Sequence, residues 1–93
     1  MLDALTLPDG LAHVRTTETF TASTTPHGLR RAHRLTPGVW GRLRVEGGTV
    51  LFVVEETGES RRLGIGDTQV IEPEVAHHVE PGEGASFTVE FHR

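Results

Sequence analysis

Residues 66–80, GDTQVIEPEVAHHVE, carry the clearest chemical group of this chain. They read as a Gly66-Asp67 turn, a short β-branched strand, a kink at Pro73 and a histidine, His77, delivered onto the next strand. A strand-borne imidazole is stiffly positioned and neutral near physiological pH, so a ring nitrogen is available to a divalent metal. The sequence has no cysteine, lysine or tyrosine. Thiolate ligands, disulfides, a Cys nucleophile and Schiff-base chemistry are therefore excluded. Acid–base work falls to His, Asp, Glu or a metal-bound water.

Those residues need a scaffold, and the pattern says which kind. No stretch of ten or more residues sustains apolar spacing at helical period. Short alternating segments punctuated by Gly and Pro read as strands at 12–15, 29–35, 39–46, 49–55, 61–63, 68–71, 77–80 and 86–92. Glycines at Gly47-Gly48, Gly58 and Gly82/Gly84 mark the turns. Many short strands with regular turn signals predict an all-β sandwich or small barrel in a single domain, 1–93, with residues 1–10 as a loose N-terminal arm.

Strand parity then sorts the side chains, because successive residues face opposite sides. Leu29, Arg31, His33 and Leu35 share one face of their strand. His77 and Val79 share one face of theirs, with His78 and Glu80 on the other. Apolar neighbours send His33 and His77 inward and leave His78 outside beside Glu80. Phe87, Val89 and Phe91 as the core face turn Glu90 outward. Asp67 reads as a turn-stabilising residue.

The 93 residues include 25 Leu, Ile, Val and Phe, enough for a modest core in a domain that buries roughly 60–65% of its unfolded surface. A net charge of −4 argues against a nucleic-acid partner. No apolar run approaches the ~20 residues a bilayer crossing needs, and the first ten lack the pattern of a signal peptide. A cytoplasmic location with no membrane partner is the expectation.

The order of motifs resembles the cupin superfamily of small jelly-roll β-barrels (double-stranded β-helices). Its second motif runs Gly, five residues, Pro, one residue, Gly, two residues, His. Gly66 and His77 hold its ends, while Glu72 and Glu74 stand where the motif has Pro and Gly. The strand and glycine turn at Leu43–Gly47 resemble the end of the first motif, with His33 surviving from its histidine pair and Trp40 near its glutamate position. Gly28–His33, Pro37–Leu43 and His77–Pro81 are similar to the TehB/YeaR-like small cupin family, which is associated by name with tellurite resistance.

That resemblance implies a divalent metal (Zn, Fe, Mn or Ni) on His33 and His77, other positions being filled by water or substrate. The competing reading is two partly buried histidines that only satisfy hydrogen bonds; His27 and Gln69 are unplaced as third ligands. Arg31, Arg42 and Trp40 are the candidates for binding a small anionic ligand, since a guanidinium grips an oxyanion bidentately; for the arginines an ion pair with a surface Glu, and for Trp40 core or interface packing, are the alternatives. The function expected is a metal- and/or small-anion-binding accessory protein in a tellurite or oxyanion stress response, as a homodimer. The alternatives are a small metal-dependent oxygenase or isomerase, and a structural dimerisation module.

Overall fold

The computed structural model describes residues 1–93. It has eight strands: β1 (His13–Thr16), β2 (Phe20–Thr21), β3 (Trp40–Gly47), β4 (Val50–Val54), β5 (Ser60–Leu63), β6 (Thr68–Ile71), β7 (His77–Pro81) and β8 (Ser86–His92). Two short 3-10 turns, Leu2–Ala4 and His27–Arg30, are the only helical segments. Neither approaches the length and apolarity needed to cross a membrane. The fold is therefore almost entirely β, as the turn spacing predicts.

The strands form two antiparallel sheets rather than one closed barrel. The larger sheet has the order β1-β8-β3-β6, with β2 also pairing β8; the smaller has the order β5-β4-β7. Alternation along β3 explains the join. Gly41, Leu43 and Val45 are buried, whereas Arg44 and Glu46 are exposed. On β4, Val50, Phe52 and Val54 are buried. Leu43, Val45, Val50, Phe52 and Val54 meet Phe87 and Val89 of β8 and Val79 of β7 in a single apolar cluster between the sheets. Each such fully buried side chain is worth about 1.5–3 kcal/mol of transfer free energy.

The turn from β3 to β4 depends on glycine twice over. Gly48 has φ +60°, and a Cβ there would lie 2.7 Å from the Ala85 nitrogen and the Gly84 carbonyl carbon. Asp67 closes the turn before β6 by accepting a 2.9 Å hydrogen bond from the Gly64 amide.

Two expectations change. Residues 29–35 do not form a strand. Pro26 caps the 3-10 turn His27–Arg30, and only His33 then pairs, as an isolated bridge to His77. The first residues are also not a loose arm throughout. Leu2 is buried in the core cluster, its amide donates to Glu59 Oε2 at 3.2 Å, and its carbonyl accepts from Gln69 Nε2 at 3.0 Å.

Candidate functional site

His33 and His77 come together because their backbones pair directly. The His33 amide donates to the His77 carbonyl at 2.7 Å and the His77 amide to the His33 carbonyl at 2.9 Å. Directly opposed antiparallel residues project to the same face, so the two rings meet edge to face, with centroids 5.4 Å apart. The strap carrying His33 is held at its far end too. The Glu74 amide donates to the Leu35 carbonyl at 2.9 Å, and Arg34 Nη1 donates to the Glu74 carbonyl at 2.8 Å.

The His77 ring is fixed in orientation and in tautomer. It stacks on Phe52 at 5.4 Å and 27°, and its Nδ1 lies 3.0 Å from the Val75 carbonyl. A ring nitrogen bonded to a carbonyl must carry the hydrogen, so Nδ1–H donates and Nε2 keeps its lone pair. Burial pushes the His77 pKa below the usual value of 6.5, against the opposing pull of the Val75 bond. His33 differs: its Nδ1 is buried with no hydrogen-bond partner.

Both rings line a cavity of about 220 Å³ between the sheets. Buried Leu43, Val79 and Val89 form its deep part, and half-buried Phe91 and Phe20 its flank. Arg15, Pro26 and Gly28 sit at the exposed rim. The Arg15 guanidinium carbon lies 4.7 Å from the Phe91 ring centroid, within cation–π range.

The other candidate residues lie elsewhere. Arg42 and Trp40 occupy the outer face of the larger sheet, opposite Glu90 and His92 of β8. Arg42 donates to Glu90 Oε1 through Nε at 3.2 Å and Nη2 at 2.8 Å, and His92 Nε2 is 3.1 Å from the same oxygen. Burial raises the Glu90 pKa, but the bonds from His92 and Arg42 outweigh it and hold the carboxyl below its ordinary 4.5. Arg31 is exposed, follows the 3-10 turn and is not part of the cavity wall. These three therefore do not converge with the histidines. Gln69 is committed to Leu2, and His27 is exposed.

Arg15 is the residue the pattern conceals. His13 pairs with His92 and Arg15 with Phe91, so a bulge puts two β1 steps against one of β8. The bulge switches Arg15 from the outer to the inner face, where simple parity with His13 would not send it. Its neighbourhood to Phe91, an inward residue of β8, is the only sequence-level signal and needs the pairing to be known.

The resident metal implied by the resemblance can be tested on the donor set. His33 and His77 supply two nitrogens, and no group of three or more His, Cys, Asp or Glu side chains capable of holding a metal forms anywhere in the chain. Zinc centres draw three or four protein ligands. The donor set falls one short, so the residues do not fit a tightly held divalent ion.

An antiparallel two-sheet β domain with a partly open, histidine-edged pocket is the class defined by these features. The family model described as TehB-like domain matches residues 15–89, and the chain belongs to that family. It is similar to the crystal structure of a protein from E. coli strain K12, with 25% identity, a TM-score of 0.89 and 96% of each chain covered. It is also similar in fold to TehB from Haemophilus influenzae, with 22% identity and a TM-score of 0.76. There 90% of this chain aligns with 32% of the TehB chain, so this chain corresponds to about a third of that protein. No curated protein matches by sequence.

Proposed function

We propose that the chain is an accessory small-molecule-binding domain that takes its ligand in the pocket beside His33 and His77. One observation carries this reading: a mainly apolar cavity of about 220 Å³, lined by the paired His33 and His77 and opening at an exposed rim. Apolar side chains that face such an opening forgo the packing contacts of a filled core. That is expected where a ligand completes the packing.

Membership of the TehB-like family supports a place in a tellurite or oxyanion stress response. The accessory role is supported by the alignment of this chain with a minor part of the H. influenzae TehB. The finer fold assignment, a cupin-type jelly roll, belongs to the same proposal. It is supported by eight strands in two antiparallel sheets and by Glu74, whose φ of +64° matches the conformation expected where the second cupin motif carries glycine. The expected homodimer fits sheet edges that the topology leaves unpaired.

The test is an NMR titration of isotope-labelled protein with a set of benzene-sized fragments. Binding is expected to shift amides around His33, His77 and Phe91, and His33→Ala is expected to weaken or remove those shifts. If no fragment perturbs the pocket, the reading is wrong. It is equally overturned if the purified protein retains one equivalent of zinc, iron, manganese or nickel that His33→Ala and His77→Ala abolish, because the site is then a metal centre.

A further inference from the structure

The pocket carries a guanidinium charge at one end only. Its deep wall is apolar apart from the two imidazoles, and its single cationic group, Arg15, stands at the exposed rim. Arg15 forms no ion pair and no side-chain hydrogen bond, whereas Arg42 is tied to Glu90 and the side chains of Arg30, Arg34 and Arg61 donate to backbone carbonyls. Its guanidinium carbon lies over the Phe91 ring, 4.7 Å from the centroid, and a guanidinium in that position keeps N–H donors free whose fork matches a carboxylate.

Size and charge narrow the ligand further. A dry cavity of about 150 Å³ admits benzene, so about 220 Å³ accommodates a ring or branched aliphatic body plus a few more heavy atoms. One guanidinium balances one negative charge. The protein as a whole carries −4, so its long-range field repels anions and offers nothing to a dianion. A bare oxyanion has no apolar surface to bury and would be desolvated against leucine and valine at high cost.

We propose, on the pocket reading above, that the ligand is a small apolar monocarboxylate, bound head-out with its carboxylate on the Arg15 guanidinium and its hydrocarbon body between the sheets. The rim placement of Arg15 leaves the head partly in water, so the charge is never fully buried. Orientation comes from the Arg15 fork, and affinity from the apolar area removed from water.

Benzoate and benzamide, which share a body and differ in head charge, separate the possibilities. With the wild-type chain at low salt, benzoate is expected to bind roughly tenfold or more tightly than benzamide, as a charge-assisted fork contributes on the order of one decade. Arg15→Gln is expected to erase the preference while leaving benzamide binding unchanged. Arg31→Gln, an exposed arginine outside the pocket lining, is expected to keep it. Equal binding of both probes, or the same loss in Arg31→Gln, overturns the carboxylate assignment and leaves the pocket reading intact. Binding of neither probe, when other fragments also fail, removes the pocket reading itself.

Discussion

Glu74 holds a backbone conformation that a side chain resists. Its φ of +64° is the only positive value at a non-glycine residue, and the left-handed region costs roughly 1–2 kcal/mol for a residue with a Cβ. The conformation is retained because its amide and carbonyl are both bonded, to Leu35 and Arg34, and so anchor the strap that carries His33. Glycine keeps those backbone bonds and removes the steric cost, while giving some of the gain back as unfolded-state entropy. Glu74→Gly is therefore expected to stabilise the protein by about 0.5–1 kcal/mol, raising the midpoint of thermal unfolding by roughly 2–8 °C. A lower midpoint in calorimetry would mean that the exposed carboxylate contributes more than its backbone costs. At this scale the sequence was partly legible. The spacing from Gly66 to His77 marks the turn, and parity along β7 turns His77 inward, whereas His33 joins it through an isolated bridge and not through alternation of residues 29–35. Arg15 was not legible, because a one-residue bulge inverts parity and has no compositional signature.

Elements were legible where both faces of a strand are specified, as in β6 and β8, whose bounds coincide with the alternating segments. They were not legible where alternation is present but pairing partners are lacking. Residues 29–35 alternate, yet after the 3-10 turn only His33 has a strand beside it, so no ladder propagates. The N-terminal turn shows the converse. Nothing periodic announces Leu2–Ala4, but one leucine fills a gap between β5 and β6 that neither sheet closes. Its depth makes a measurable claim. Leu2 is 7% exposed, and removing a buried leucine side chain costs about 2–5 kcal/mol. Near a terminus that can fray, the low end applies, so Leu2→Ala is expected to destabilise the domain by about 2 kcal/mol. Urea denaturation reads this as a lower midpoint at unchanged slope. A loss within about 0.5 kcal/mol, the range of ordinary surface changes, would return the segment to the status of a loose arm.

For the whole molecule, the all-β architecture followed from turn spacing, and the division into two sheets is a matter of long-range pairing that no local pattern encodes. The same alternation on β7 sets how the domain responds to acid and base. His77 is buried against Phe52, and that burial lowers its pKa below 6.5. His78, one residue on, faces outward, where Nε2 bonds Glu80 Oε2 at 2.7 Å and Nδ1 bonds Glu55. The Glu80 bond first, with Glu55 assisting and partial burial opposing, raises its pKa above 6.5. The two shifts act in opposite senses. For His77 the unfolded chain binds more protons than the folded one below pH 6.5, so its contribution is complete above 6.5 and is lost as the pH falls toward the depressed folded value. For His78 the folded chain binds more, so its contribution is complete below 6.5 and is lost as the pH rises through the elevated folded value. Their product is a stability maximum near pH 6.5, in keeping with the neutral optimum common to folded proteins. Glu90, held below 4.5, adds a further loss at lower pH. Because Glu55 and Glu80 are substantially exposed, the alkaline limb is small, under about 1 kcal/mol. Urea midpoints measured from pH 4.5 to 9 are expected to peak near 6.5, and His78→Gln to flatten the alkaline side while leaving the acid side sloping. A wild-type midpoint that keeps rising from pH 7 to 8.5, or an alkaline limb unaffected by His78→Gln, would show that the carboxylate clamp on His78 does not hold its proton in solution.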